Sequence, residues 1–351
     1  MKPYKKLTGP WYLKNANFTK DAGKVFSCFS CTGGSTMGYK LAGFDVIGFN
    51  EISSKIAHIY KLNHNPKYGF ICSIRDLINK TDLPEEMFNL DILDGSPPCS
   101  SFSISGAREK FWGKEKKFAE GQKIQRLDDL FFEFIALAKK LQPKIIIAEN
   151  VKGIIVGKAR GYVKEIIKGF NDSNYDVQIF TLNSSNMGVP QARPRVFFIC
   201  KRKDLNLSKL KLSFSEKPIS LKEAFSWLGK YEVNKNLSIK HRAIYPLWKK
   251  ANQGESLRKH HPKRSFFNYF KATFDSPSAT IPAGPGPLHP TEPRVFCEKE
   301  LQVISSFPMD MDFNTNSICS KQWAMGMSVP PYMAYRIAIQ IKKQWIEVLN
   351  G

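Results

Sequence analysis

Short apolar runs alternate with helix-like patterns through the first 200 residues, and this alternation constrains the fold more than any other feature. Residues 144–148 are almost entirely apolar, as expected for a strand buried on both faces of a parallel sheet. Residues 124–141 place apolar side chains at helical spacing, which predicts a core-facing helix. Because strands that alternate with helices form parallel sheets, the pattern predicts an α/β fold with a doubly wound, mostly parallel sheet.

The predicted elements follow one another at short intervals. Strands are predicted at residues 24–29, 45–49, 70–74, 91–93, 144–148, 177–182 and 195–200. Helices are predicted at residues 37–42, 53–62, 124–141, 162–170 and 332–348.

The alternation stops after Cys200. Residues 201–290 are basic, aromatic and rich in Asn, Ser and Pro, and residues 280–290 fit neither a helix nor a central strand. The last helix has the composition of the first domain and is expected to return to it. We therefore predict a main domain, a smaller second domain, a hinge and a C-terminal return, over residues 1–200, 201–290, 291–317 and 318–351.

The charge of the chain is strongly positive. Lys and Arg total 53 against 31 acidic residues, for a net charge of +22. Residues 201–271 alone hold 18 basic and 5 acidic residues, so more than half of the excess lies on about a fifth of the chain. This concentration favours a polyanion, nucleic acid above all, over a general lysine richness.

The remaining composition predicts a cytoplasmic protein. No apolar run approaches the roughly 18 residues of a transmembrane helix, and residues 1–24 lack the apolar stretch of a secretory signal. The seven cysteines are an odd number without framework spacing, which indicates free thiols. Cys28 and Cys31 form a Cys-x-x-Cys without a second pair, so we predict no metal site.

A glycine-rich turn follows the first predicted strand. Gly33, Gly34 and Gly38 allow a ligand to approach the backbone at a helix N-terminus. Glu51 ends the second strand, where an acidic side chain can bind the two ribose hydroxyls of an adenosine-containing ligand. These residues suit a nicotinamide dinucleotide and S-adenosylmethionine equally well.

Three further motifs carry reactive or charged groups at the ends of strands. The two prolines before Cys99 fix the backbone, which makes this cysteine a candidate nucleophile. Glu149 ends the most hydrophobic strand, at the same sheet edge, and is a candidate proton or hydrogen-bond donor. Arg193 and Arg195 precede the last strand, and their guanidinium groups suit base edges and phosphates.

These groups together match one reaction, methylation of cytosine at C5. Addition of a thiolate to C6 makes C5 reactive, with help from a donor at N3, a cation at O2 and a methyl sulfonium above C5. Cys99, Glu149 and Arg195 would supply the first three, and the ligand of the glycine turn the fourth.

The motifs resemble those of the DNA cytosine-5 methyltransferase family of bacterial restriction-modification systems, in the family's order and over about residues 24–351. The matching segments are residues 29–44, Glu51, residues 95–103, 149–151, 191–195, 294–308 and 326–331. By this resemblance, residues 201–290 correspond to the target-recognition domain. A basic, glycine-containing loop at residues 103–123 corresponds to one that closes over a cytosine flipped out of the helix.

The resemblance implies S-adenosylmethionine as cofactor, no metal, and double-stranded DNA as partner of a monomer, with a restriction endonuclease as functional companion. The implied catalytic residues are Cys99, Glu149, Arg193 and Arg195. The implied cofactor-binding residues are Phe29, Thr32, Gly33, Gly34, Glu51, Ser73, Ile74, Pro97 and Ser328. Candidate DNA-binding residues are Ser103, Arg108, Gln191, Arg258, Arg264 and Asn268.

Four positions depart from the family pattern. Ser27 stands where the family has Asp, Ser73 where it has Asp, and Met327 where it has Asn. Ser100 replaces the common Gln after the cysteine. The first three lie around the cofactor, which predicts weakened binding of S-adenosylmethionine. A DNA-binding relative with little or no activity, a tRNA cytosine-5 methyltransferase and a nucleotide-dependent dehydrogenase are the alternatives.

Overall fold

A computed structural model of the protein describes residues 7–98, 129–156, 160–266 and 268–351. Contacts divide the described residues into two compact units. The first, called the sheet unit below, comprises Asn17–Leu182, Pro194–Ser213 and Tyr335–Gly351. The other, called the second unit, comprises the residues up to Ala16, Asn183–Arg193 and Phe214–Ala334.

The strands of the described residues are numbered in chain order. They are β1 Lys24–Cys28, β2 Asp45–Asn50, β3 Tyr68–Phe70, β4 Ile92–Gly95, β5 Ile145–Val151, β6 Tyr175–Asn183, β7 Gln191–Ala192, β8 Pro194–Arg202, β9 Glu255–Ser256, β10 Phe270–Lys271 and β11 Ser278–Ala279.

The helices are numbered in the same way. They are α1 Gly34–Leu41, α2 Ser54–His64, α3 Ile74–Ile78, α4 Leu130–Leu141, α5 Arg160–Asp172, α6 Leu221–Ser226, α7 Tyr245–Lys250, α8 Glu298–Ile304, α9 Ile318–Met327, α10 Pro331–Ile341 and α11 Glu347–Asn350. A π-helical turn, Lys342–Ile346, joins the last two.

The sheet unit is built on one mostly parallel sheet. Its strand order is β3-β2-β1-β4-β5-β8-β6. Strands β1 to β5 run parallel to their neighbours, whereas β8 runs antiparallel to β5. The order reverses between β1 and β4, the point of an open α/β sheet where ligands bind beyond the carboxyl ends of the strands.

The core of the sheet unit lies between the sheet and its helices. The apolar face of α4 buries Leu130, Phe134 and Leu137 against strand residues such as Phe26 and Ile146. The period of 3.6 residues on α4 and the nearly continuous apolar run of β5 explain this packing. The predicted α/β class with a mostly parallel sheet is confirmed by the described strands.

Two predicted elements differ from the structure. Residues 70–74 are not one strand, because β3 ends at Phe70 and α3 begins at Ile74. The Ser73 hydroxyl accepts a hydrogen bond from the Asp76 amide, and this N-cap starts the helix. The predicted helix at 124–141 is described from Leu130 onward, where α4 begins.

The second unit consists of short elements. Strands β9 and β10 form an antiparallel pair, and β7 and β11 form a parallel pair. Seven apolar residues form a small core, with further aromatic residues packed against it. The seven are Ile239, Ile244, Leu247, Trp248, Ala251, Leu257 and Leu288.

The two units divide the chain differently from the predicted domains. Residues 201–213 belong to the sheet unit, and residues 318–334 belong to the second unit. The chain returns to the sheet unit at Tyr335. Trp345 is fully buried in this unit and donates a hydrogen bond to the Ser208 carbonyl. Among the described helices, none has both the length and the apolar character needed to cross a membrane.

Candidate active site

The carboxyl ends of five neighbouring strands carry most of the predicted site residues. The glycine turn follows β1, Glu51 follows β2, and Ser73 lies three residues after β3. Pro97 lies two residues after β4, and Glu149 is the third residue from the end of β5. Because these strands are adjacent and parallel, their ends meet at one sheet edge. The antiparallel β8 begins beside the end of β5, which brings Arg195 to the same edge.

The glycine turn between β1 and α1 is tightly wound. Phe29, Cys31 and Gly33 have positive φ angles of 50°, 49° and 85°. Gly33 packs against His64, and a Cβ on this glycine would lie 2.1 Å from the His64 Nε2 atom. The His64 Nε2–H donates to the carbonyl of Thr32 at 3.1 Å, and burial lowers the pKa of His64 to about 3. A neutral imidazole therefore supports the turn from the last turn of α2.

Glu51 lies beside this turn. Its Oε2 atom accepts a hydrogen bond from the Cys31 amide at 3.1 Å, and its Oε1 atom accepts one from the Ser53 amide at 3.0 Å. The carboxylate is half-buried. The backbone thus holds an acidic group next to the start of α1, as binding of a ribose would require.

Ser73, Ile74 and Pro97 complete this part of the edge. Ser73 is the N-cap of α3, and Ile74 is buried in the core of the sheet unit. Pro97 is buried, and its carbonyl accepts a hydrogen bond from the Asn150 side chain at 3.2 Å. This bond connects the segment after β4 to the end of β5, just before Cys99.

Glu149 and Arg195 form an ion pair on neighbouring strands. The Arg195 Nε atom lies 2.9 Å from the Glu149 Oε1 atom, and the two side chains are 12% and 11% exposed. Burial lowers the pKa of Arg195, while the charge of Glu149 opposes this shift. Within the described part of the chain, no donor other than Arg195 reaches the Glu149 carboxylate.

Three predicted site residues lie outside the described residues: Cys99, Ser103 and Arg108. The described residues end at Pro98 before this segment and begin again at Asp129 after it.

Gln191 and Arg193 have contacts inside the second unit. The Gln191 amide donates to the Ser305 hydroxyl at 3.2 Å and accepts from the Ile281 amide at 3.2 Å. The Arg193 guanidinium donates to the carbonyls of Ile281 and Gly326 at 3.2 and 2.8 Å. Both side chains are buried, and these contacts connect residues 191–193 to other parts of the second unit.

Ser328 also belongs to the second unit. Its hydroxyl donates to the Ala324 carbonyl at 2.9 Å, at the end of α9. The structure thus brings the other predicted cofactor residues together in the sheet unit, and it places Ser328 in the second unit.

The candidate recognition residues lie in a loop of the second unit that is basic outside and aromatic inside. Arg258 and Arg264 are exposed, and Asn268 is half-buried. Phe266 and Tyr269 pack against the small core around Trp248. The interleaved sequence therefore separates into anchoring aromatic side chains and outward basic ones, which is the arrangement of a candidate nucleic-acid surface.

The sequence analysis missed two buried polar residues of the sheet unit. His64 supports the glycine turn, and Asp94 accepts three side-chain hydrogen bonds beside it. A signal for Asp94 was present, because an acidic residue at the end of an apolar strand is unusual. His64 had no comparable signal, since a histidine at a helix end is common on protein surfaces.

Comparisons with known proteins agree on one family. The sequence profile of the C-5 cytosine-specific DNA methylases matches residues 23–343. Type II methyltransferase M.FnuDI of Fusobacterium nucleatum is 31% identical over 350 residues, which cover 91% of this chain and 94% of that protein. Type II methyltransferase M.NgoPII of Neisseria gonorrhoeae is 30% identical, with coverages of 91% and 95%.

Solved structures show the same fold. A prophage-encoded protein of E. coli, described as a DNA modification methyltransferase, has a TM-score of 0.66 at 22% identity, with coverages of 93% of this chain and 99% of that one. A DNMT2 of Spodoptera frugiperda has a TM-score of 0.62 at 18% identity, with coverages of 90% and 98%.

Proposed function

Because the chain belongs to the C-5 cytosine-specific DNA methylase family, we propose that Cys99, Glu149 and Arg195 methylate a cytosine flipped out of a short duplex DNA site. The protein is a DNA cytosine-5 methyltransferase, and the methyl donor of this family is S-adenosylmethionine. The observation that carries the residue assignment is the Glu149–Arg195 ion pair, which lies at the same sheet edge as the strand that leads to Cys99.

Each of the three residues has one task. The Cys99 thiolate forms a bond to C6, and the ring becomes an enamine with a nucleophilic C5. Glu149 engages N3 and the exocyclic amine, and Arg195 faces O2, so both favour thiolate attack. C5 then takes up the methyl group. A water molecule accepts the C5 proton, the electrons of that C–H bond restore the C5–C6 double bond, and the Cys99 thiolate leaves C6. The bound cofactor supplies the methyl group on a sulfonium.

The residues of the sheet unit fit this cofactor. The turn over Phe29, Thr32, Gly33 and Gly34 offers an aromatic ring and a helix N-terminus, which suit the adenine and the carboxylate of the ligand. Glu51 suits the ribose hydroxyls. Ser73, Ile74 and Pro97 line the same sheet edge, and Ser328, a residue of the second unit, remains a proposal from the sequence. We propose no metal ion.

The second unit is proposed to read the DNA. Arg258, Arg264 and Asn268 have the side chains that grip guanine and adenine edges in pairs. Nearby lysines such as Lys263 contact phosphates and add affinity without sequence information. Of the other predicted contacts, Ser103 and Arg108 remain proposals from sequence, whereas the internal hydrogen bonds of Gln191 and Arg193 favour a supporting role for both.

The relatives' names suggest a biological setting. Both compared curated relatives are named Type II methyltransferases. We extend this to the present chain as a monomeric, cytoplasmic enzyme that acts on double-stranded DNA. A restriction endonuclease of the same site specificity would be its functional companion.

Covalent trapping tests the nucleophile. DNA that carries 5-fluorocytosine cannot lose the C5 substituent, so the wild-type protein with S-adenosylmethionine should form a stable adduct with it. Cys99→Ala should form none, while Cys319→Ala, which changes an exposed cysteine of α9, should form as much as the wild type. An adduct of equal yield with Cys99→Ala would refute the assignment. Bisulfite sequencing of mixed DNA and transfer assays on tRNA identify the substrate.

A pair of adjacent substitutions tests the recognition surface. Arg264→Ala should cost about 1–3 kcal/mol of binding on the target site and little on random DNA. Lys263→Ala should weaken binding to all sequences alike and reduce the salt slope by about one. Equal losses on target and random DNA for Arg264→Ala would assign recognition to other residues.

A further inference from the structure

Asp94 is a buried carboxylate at the end of β4. Its side chain is 4% exposed and has no cationic partner among the described residues. Three hydroxyl groups donate to it instead: Ser27 and Ser35 to Oδ2, both at 2.8 Å, and Tyr39 to Oδ1 at 3.0 Å. A buried carboxylate without a cation is costly, so an apolar residue would serve the core better unless the carboxylate has another use.

The position of Asp94 complements a departure from the family pattern. Ser27 on β1 stands where the family has an aspartate. In the parallel pairing of β1 with β4, Ser27 lies opposite Asp94, and their oxygen atoms are in hydrogen-bond contact. The carboxylate is therefore present next to the usual position, on the neighbouring strand.

The hydrogen bonds of Asp94 connect three elements around the glycine turn. Ser27 is two residues before Phe29 on β1, and Ser35 is in the first turn of α1. Tyr39 lies one turn further along the same helix. Asp94 thus fixes the direction in which α1 leaves the turn, and with it the backbone amides at the start of the helix.

We propose that Asp94 is a positioning residue for the cofactor, which supplies from β4 the carboxylate that Ser27 lacks on β1. The inference rests on the proposed cofactor site. It predicts that the glycine turn of this protein binds S-adenosylmethionine without the weakening that Ser27 alone would suggest. Burial raises the pKa of Asp94 to about 6 against the effect of its three hydrogen bonds, as expected for a group retained at a cost.

Exchange of the two residues tests the proposal. Asp94→Ser should weaken S-adenosylmethionine binding by about 10- to 100-fold, because the hydroxyl groups lose their common acceptor. Ser27→Asp should also weaken it, because two carboxylates would face each other across the strands. The double variant Ser27→Asp with Asp94→Ser should recover binding to within about threefold of the wild type, since one carboxylate again faces one hydroxyl. Calorimetry with S-adenosylmethionine measures all four proteins.

A kinetic measurement separates positioning from general stability. Asp94→Ser should raise the KM for S-adenosylmethionine much more than it lowers kcat. Thr36→Val is the matched control, because it removes the buried bond between Thr36 and Tyr60 on the same helix without touching Asp94. This control should change the melting temperature more than the cofactor affinity. If Asp94→Ser does not fold, Asp94→Asn keeps the shape and one acceptor, and should show the same KM effect at smaller size.

The outcomes distinguish this inference from the proposed function. A folded double variant that binds no better than Asp94→Ser, or an equal loss of affinity in Thr36→Val, would overturn the role of Asp94. A wild-type protein that binds no S-adenosylmethionine would instead refute the proposed cofactor site.

Discussion

Two Arg–Glu ion pairs are buried among the described residues, one in each unit, and they differ in how many hydrogen bonds their carboxylates accept. In the second unit, the Glu300 carboxylate receives two bonds of 2.7 Å from Arg294, one from the Tyr231 hydroxyl and one from the Cys297 amide. In the sheet unit, Glu149 has one such contact within the part of the chain that the structure describes, with Arg195 at 2.9 Å. The side chain of Glu300 is 0% exposed, whereas that of Glu149 is 11% exposed.

The pKa shifts follow the same difference. Burial opposes the charge of Arg294, but its bonds to Glu300 and Glu292 raise the pKa of this arginine overall. Burial lowers the pKa of Arg195, and Glu149 compensates only in part. We call the Arg294–Glu300 pair saturated, because hydrogen bonds occupy both of its carboxylate oxygens, and this pair stabilises its own unit. The Arg195–Glu149 pair is unsaturated, and it retains hydrogen-bonding capacity that a ligand can use.

The largest expected effect comes from the unsaturated pair. Glu149→Gln should lower the rate of methyl transfer by about 10²–10⁴-fold, because an amide cannot take up and transfer a proton as a carboxyl group can. The melting temperature and the affinity for DNA should change little. Single-turnover kinetics with saturating DNA measure the rate.

An unchanged single-turnover rate for Glu149→Gln would contradict its role in the reaction. A large loss of stability with a normal rate would show that this pair is structural after all, and the contrast between the two pairs would fail.

The saturated pair should give a smaller and opposite result. Glu300→Gln should lower the free energy of unfolding by about 3–5 kcal/mol, since Arg294 loses a buried counter-charge and one of its two short bonds. The methyl-transfer rate of the folded fraction should stay near that of the wild type. Urea denaturation followed by intrinsic fluorescence checks the stability.

The smallest effect concerns pH, and it sharpens the comparison with a third buried carboxylate. Asp94 has a pKa of about 6 in the folded protein, above its ordinary value, so its ionisation destabilises the fold as the pH rises through 6. The titratable side chains that interact electrostatically with Asp94 are Cys28 on β1, Tyr39 on α1, Tyr60 on α2 and Glu149 on β5.

The wild type should therefore gain stability relative to Asp94→Asn as the pH falls from 7 to 5, by about 1–1.5 kcal/mol. Glu300 has the opposite sign. Its pKa is lowered, because the bonds from Arg294 outweigh burial, so its contribution is present above pH 4.5 and lost on further acidification. Thermal melts of the wild type, Asp94→Asn and Glu300→Gln from pH 7 to pH 3 measure both differences, and parallel curves would contradict them.

The helices and strands with a clear apolar period could be predicted from the sequence, whereas the segments that join them were harder to predict. The buried run of β5 and the apolar stripe of α4 carry their own signals. The antiparallel direction of β8 depends on the segment between β6 and β8, which contains a short 3₁₀ turn, Ser184–Asn186, and no crossover helix. Residues 71–74 looked like a strand because they contain two isoleucines, but the Ser73 cap decided in favour of a helix.

The site was predictable as far as its groups lie at strand ends. Glu51 follows a buried strand and Glu149 lies near the end of another, and their positions at the sheet edge result from that. The separate roles of Arg193 and Arg195 could not be predicted, since two arginines two residues apart look alike until their partners are known. The compensation of Ser27 by Asp94 depends on the register of two strands that are 67 positions apart in the sequence.

Most of the second unit lies, along the sequence, between two segments of the sheet unit, and this affects the order in which the protein can fold during synthesis. Trp345 fills the core of the sheet unit and binds the Ser208 carbonyl, and Gln344 bonds to the backbone of Lys211. The ribosome makes the whole of Phe214–Ala334 between these partners. The second unit can thus be complete while the sheet unit still lacks its segment Tyr335–Gly351, so apolar surface that Trp345 will cover stays open until this segment has been made.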